Sequence, residues 1–116
     1  IAVPPASVPA LLNDLKAIAK KYNTTAPAIG HIADGNMHNY IMLENGKLPD
    51  YLDDIRNDMY MAALKYGGTI TAEHGTGKTR KKHMDQQFTD REIEIMRGIK
   101  KAFDPNHILN PGTIID

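Results

Sequence analysis

The sequence predicts an α+β domain: a small sheet carrying two helices on one face, followed by further helices toward the C-terminus. Three observations lead there. Apolar residues recur at helical spacing in three stretches, 8–22, 52–66 and 93–103. Short β-branched or alternating stretches precede and separate the first two. Dipeptides rich in Gly, Pro and Asn punctuate the junctions.

Ile1-Ala2-Val3 reads as the tail of a strand, cut short by Pro4-Pro5, which remove backbone donors. Ile rather than Met opens the sequence, so the expectation is a C-terminal piece of a longer polypeptide. Ser7 is a good N-cap for a helix that buries Val8, Leu11, Leu12, Leu15, Ile18, Ala19 and Tyr22 and ends near Tyr22-Asn23. Residues 26–33 and 36–43 are expected to form a hairpin about Asp34-Gly35, a preferred pair for a type I′ turn. Asn45-Gly46 and Pro49-Asp50 mark a loop. A second helix follows, with Leu52, Ile55, Met59, Ala63 and Tyr66 inward and Gly67 as its stop. Thr69-Ile70-Thr71-Ala72 is a short strand leading into Glu73-His74.

The order is therefore β-α-β-β-α-β with the first strand truncated, the ferredoxin-like arrangement. A polar, basic segment, 78–87, is helical in part. Thr89-Asp90-Arg91-Glu92 is a capping box opening a helix with Ile93, Met96, Ile99 and Phe103 on one stripe, ended by Asp104-Pro105. The tail is irregular. No internal repeat is evident.

The chain has 116 residues, 41% of them hydrophobic, which suits one domain or part of one. Fourteen basic and fourteen acidic residues cancel, leaving no electrostatic footprint for nucleic acid. Cysteine is absent, which removes disulfides, thiolate ligands and cysteine nucleophiles. No apolar run approaches the roughly 20 residues of a transmembrane helix, and no secretory signal opens the sequence. The expected location is cytoplasmic, with a peripheral place at a membrane left open. A homo-oligomer is left open, and a severed sheet edge would pair artificially with a neighbour.

Three of the five histidines lie in two short stretches, 31–38 and 73–78. In the expected hairpin His31 faces His38 across the turn, close enough for both imidazoles to reach one ion, with Asn36 on the same face. Zinc or another divalent ion suits two imidazoles and a carboxylate while keeping a position open. Glu73, ending a strand of the same sheet, is the first choice of carboxylate; Asp34 competes, although the turn already explains it. Hydrogen-bonded histidines at a hairpin end remain the simpler alternative. His74 would then be available for proton transfer. Residues 72–79 also fit a relaxed phosphate-loop pattern, but Ala72 replaces its first glycine, Glu73 places negative charge in the cradle, and no later strand carries a magnesium-binding Asp. Lys78, Arg80, Lys81, Lys82 and His83 read as a solvated basic face, or as charge that neutralises an anionic ligand. Met42, Met59, Met61 and the tyrosines read as core or rim, and His107 as structural.

These stretches resemble a known family. Residues 31–38 resemble the His-x-Gly-Asp-Gly-Asn-x-His signature of FAD-linked 2-hydroxy-acid oxidoreductases of the vanillyl-alcohol-oxidase type, which include D-lactate dehydrogenases and glycolate oxidase subunits. Glu73-His74-Gly75-Thr76-Gly77-Lys78 is similar to their Gly-Glu-His-Gly-x-Gly-Lys motif, and 103–112 to their C-terminal ending, so the resemblance spans the chain. Ala33 and Ala72 stand where the family has glycine, and Thr76 where it has an aliphatic residue. Tyr40 stands where hydroxyglutarate-oxidising members tend to carry Asn, which puts hydroxyglutarate in doubt as the substrate.

The resemblance implies the C-terminal part of a substrate (cap) domain, with the FAD-binding domain elsewhere in the polypeptide. It implies His31, His38 and Glu73 as ligands of a divalent metal, zinc by donor type. His74 would be the base for the substrate hydroxyl, and Asn110 would lie near the flavin. The implied reaction oxidises a small D-2-hydroxy acid, of the D-lactate or glycolate type, to the 2-oxo acid, with hydride passing to FAD. The electron acceptor is not implied, and the piece by itself is expected to bind no FAD tightly and to turn over nothing. The competing reading is a non-enzymatic ferredoxin-like module that binds metal or a small ligand.

Overall fold

The computed structural model describes residues 1–115. They form two compact units, Ile1–Glu73 and the residues from His74 onward.

The first unit is built on two helices and short β pairings. A 3-10 turn, Pro5–Ser7, runs directly into α1, Val8–Lys21. Ser7 is therefore already near-helical, at φ −89° and ψ −8°, and its side chain makes no cap, contrary to the expected N-cap. Helix α2 spans Leu52–Lys65. Both helices end in the Schellman arrangement, with a left-handed residue just beyond the last turn. After α1, Asn23 (φ 51°) donates to Lys20 O and Thr24 to Ala19 O; after α2, Gly67 (φ 69°) donates to Leu64 O and Gly68 to Ala63 O. Val8, Leu11 and Leu15 from α1 meet Ile55, Met59, Ala62 and Ala63 from α2, with Val3 and Met37 completing the buried core.

The regular sheet is smaller than expected. Its ladder joins β1, Ala28–Ile29, to β2, His38–Asn39, antiparallel, with Ala28 opposite Asn39 and Ile29 opposite His38. Ala2 stands between Asn36 and Thr69 through single-residue bridges, and Thr69 is the one residue of the expected strand 69–72 that pairs. The neighbours explain the brevity. Pro4-Pro5 follow Val3 and cannot donate to a ladder, Gly67-Gly68 precede Thr69, and the chain turns at Ala72.

The tight hairpin about Asp34-Gly35 does not form. Ile32–Asp34 makes a 3-10 turn closed by Gly35 at φ 75°, so the connection runs from residue 30 to 37 and His38 pairs with Ile29, not His31. The N-terminal residues take the backbone that the expected register needed. Val3 N donates to Gly35 O at 3.0 Å, Met37 N to Ile1 O at 2.8 Å, and Ile1 N to Met37 O at 3.1 Å. The type I′ geometry appears instead at Asn45-Gly46, where both residues have positive φ and Glu44 and Lys47 exchange two backbone bonds at 2.9 Å.

In the second unit a 3-10 turn, Lys81–His83, leads into a short helix α3, Met84–Gln87, and then α4, Asp90–Phe103. Within the basic run His83 is buried, which departs from a solvated face. The capping box is present: Thr89 Oγ1 accepts from Glu92 N, and Thr89 N donates to the Glu92 carboxylate. No residue of α4 is buried; Ile99 and Phe103 of the expected inward stripe are exposed, as is Ile95. Asp104 caps the far end. Only 3% exposed, it takes an ion pair from Lys100 and accepts from Ile108 N and Leu109 N.

Candidate metal centre

His31 precedes the 3-10 turn 32–34, and its carbonyl accepts from both Asp34 N and Asn36 N, which fixes the loop that carries it. His38 comes from β2 and is largely shielded, its side chain 24% exposed; those of His31 and Glu73 are 63% and 49% exposed. Glu73 arrives on the 3-10 turn Ala72–His74, not on a strand.

The three side chains converge. Glu73 Oε1 lies 3.3 Å from His38 Nε2, and Oε2 lies 3.8 Å from His31 Nε2. The imidazoles stand edge to face, centroids 6.0 Å apart. One donor atom from each residue fits within 4.8 Å of the others. Bonds of about 2.0–2.2 Å to a tetrahedral ion place ligand atoms roughly 3.3–3.6 Å apart; the His38–Glu73 spacing already lies in that range, and the His31–Glu73 spacing is a few tenths of an ångström longer. Two imidazole nitrogens and a carboxylate oxygen are the donor chemistry of open zinc-type sites, and the exposed flank of the cluster leaves room for an exchangeable ligand. Asp34, the competing carboxylate, is outside the convergent set.

The other two sequence candidates lie in the second unit. His74 follows Glu73 directly and is exposed on the same 3-10 turn. Asn110 is exposed, at φ 45°, and borders a mostly apolar groove of about 410 Å³ with Met96, Ile99, Lys100, Leu109 and Thr113. The approach to Asn110 is organised by Asp104, whose importance the helix-ending Asp-Pro pair signalled only as a stop. Lys100 Nζ also donates to Leu109 O at 2.6 Å. The Lys100 ammonium beside Asp104, with the Ile108 and Leu109 amides, holds its carboxyl below the usual carboxylate range against the opposing effect of burial.

Residues 1–114 match the family model described as FAD linked oxidases, C-terminal domain. The chain belongs to this family. It is similar to a D-2-hydroxyglutarate dehydrogenase of Stutzerimonas stutzeri, 34% identical across 98% of this chain and 26% of the relative. It is also similar to a D-lactate dehydrogenase of Archaeoglobus fulgidus, 33% identical across 97% of this chain and 25% of the relative. A glycolate oxidase subunit of Bacillus subtilis is 32% identical across 95% of this chain and 24% of the relative. The chain thus spans about a quarter of the length of these relatives. Family membership bears out the family resemblance seen in the sequence. No helix among the described residues is long and apolar enough to cross a membrane.

Proposed function

We propose that this chain is the C-terminal part of the substrate domain of a flavin- and metal-dependent enzyme that oxidises a small D-2-hydroxy acid to its 2-oxo acid. The convergence of His31, His38 and Glu73 carries the reading, because three donors of that chemistry meet within 4.8 Å in a chain of the FAD-linked oxidase family. The bridge succession Thr69–Ala2–Asn36 beside the β1–β2 ladder is the order a compact ferredoxin-like sheet would have.

His31, His38 and Glu73 would hold the ion, with zinc favoured by donor type. When bound, the ion supplies Lewis acidity toward the substrate hydroxyl, and FAD, held by the remainder of the polypeptide, supplies the hydride acceptor. Within this chain, the donor atoms of His31, His38 and Glu73 converge on one flank, and that flank is assigned to the hydroxy acid. His74 is assigned the proton: an imidazole nitrogen accepts it from the hydroxyl as the carbonyl forms. Asn110 is assigned to the flavin side. Tyr40, two residues beyond His38 and half exposed, stands in place of the Asn of hydroxyglutarate-oxidising members and weighs against hydroxyglutarate, leaving D-lactate or glycolate as the substrate read here. Family membership weighs against a non-enzymatic module. A cytoplasmic location, with or without peripheral membrane contact, and assembly into a homo-oligomer belong to the same reading.

Calorimetric titration with Zn²⁺ tests the metal assignment. Wild type should bind stoichiometrically, and His38→Ala and Glu73→Gln should lose most of the heat. Equal, negligible heats for all three would overturn it. In the polypeptide that includes the FAD-binding part, His74→Ala should depress kcat on D-lactate or glycolate by about 10²–10⁴-fold.

A further inference from the structure

We propose that Thr69 is a positioning residue for Glu73, acting through a left-handed backbone turn at Ala72; this rests on the metal reading above. Glu73 reaches the two histidines because the chain reverses at Ala72, whose φ is +46°. A residue with a Cβ disfavours that region, so something must hold it there. The hold is visible. Ala72 N donates to Thr69 Oγ1 at 3.2 Å, closing a side-chain turn over the intervening Ile70 and Thr71.

Thr69 is itself immobilised. Its N–H donates to Ala2 O at 2.7 Å and its carbonyl accepts from Ala2 N at 3.0 Å. The same N-terminal segment bonds to the loop between the histidines, through Val3 N to Gly35 O and Met37 N to Ile1 O. Buried Ile70, 1% exposed, pins the stretch from within. Residues 1–3 therefore register two segments against each other: 35–37, which connects His31 to His38, and Thr69, whose hydroxyl aims Glu73. With Gly at position 72 the left-handed turn would need no such hold. With Ala it does.

The experiment compares Thr69→Val, Thr69→Ser, Ala72→Gly and Thr69→Val/Ala72→Gly in the whole 116-residue chain, with circular dichroism monitoring the fold. Val keeps the shape of Thr and removes the acceptor. Thr69→Val should weaken Zn²⁺ binding about ten- to a hundredfold, the range seen when support of a metal ligand is lost. Thr69→Ser should restore it. Ala72→Gly should bind as wild type does, and in the double variant Gly should recover most of the loss. Equal affinity in Thr69→Val and wild type, failure of Ser to restore, or failure of Gly to rescue would overturn the proposal.

A second readout needs no metal. Glu73→Gln should shift the imidazole resonances of His31 and His38 in the metal-free chain, and Thr69→Val should reproduce those shifts while Thr69→Ser should not. Wild type that binds no Zn²⁺ yet shows this pattern overturns the metal assignment and supports the positioning role. Unchanged imidazole resonances in Thr69→Val overturn the positioning role whatever the metal does.

Discussion

Asp14 of α1 and Asp58 of α2 are reciprocal: each accepts from a Lys-Tyr pair at the end of the other's helix. Lys65 Nζ and Tyr66 Oη both reach Asp14 Oδ2 at 2.9 Å; Lys21 Nζ at 2.7 Å and Tyr22 Oη at 2.9 Å reach Asp58 Oδ2. Such cross-bonding requires antiparallel helices. It corrects the reading that the sequence has no internal repeat. Asp, six residues, then Lys-Tyr occurs in both helices, and Leu11, Leu15 and Ala19 of α1 correspond to Ile55, Met59 and Ala63 of α2, all buried.

The two aspartates make the first unit acid-sensitive. The Lys65 and Tyr66 donors hold Asp14 below its ordinary 3.8, and Lys21, followed by Tyr22, does the same for Asp58. A depressed carboxylate contributes stability above its unfolded-state pKa and loses it as pH falls through the lower folded value. The urea midpoint should therefore drop from pH 5 toward pH 2 in wild type, and less steeply in Asp14→Asn/Asp58→Asn. Parallel curves would refute the assignment.

Core and surface should separate cleanly. Leu11 and Ile55 are fully buried against each other's helices, so Leu11→Ala or Ile55→Ala should cost about 2–5 kcal/mol. Phe103, 83% exposed despite its place on the apolar stripe of α4, should tolerate Ala within about 0.5 kcal/mol. Urea unfolding of the three variants checks both signs.

Glycines at two places answer in opposite directions. A Cβ on Gly35 would fall 1.8 Å from Val3 O, at φ 75°, so Gly35→Ala should destabilise strongly and displace the loop between the histidines. Gly98 lies inside α4 with nothing near its missing Cβ, so Gly98→Ala should stabilise by about 0.5–1 kcal/mol. Thermal melts of both variants, and Zn²⁺ titration of the first, distinguish them.

The capping box is separable from the metal cluster. Thr89→Ala removes the acceptor for Glu92 N and should cost about 1 kcal/mol, seen as lost helicity, with Zn²⁺ affinity unchanged. A change in affinity would contradict the assignment of all three ligands to residues 31–73.

The sequence alone sets the elements governed by local chemistry. The 3.6-residue spacing placed α1 and α2, the Thr89–Glu92 box placed the start of α4, and Gly67 placed the end of α2. It also determined the donor types at 31, 38 and 73, because imidazoles and carboxylates carry their chemistry wherever they lie. The strand pairing depends on contacts distant in sequence. Asp34-Gly35 is a legitimate hairpin signal, yet residues 1–3 bond to 35–37 from elsewhere in the chain and open the turn into a loop. The histidines still meet, by a different route: His31 is carried on a loop and His38 on β2, with Glu73 swung in by the turn at Ala72. A local signal ranks the turns a segment can make. Long-range backbone hydrogen bonds and the burial of Val3 and Met37 choose among them, because no backbone amide can serve two registers at once.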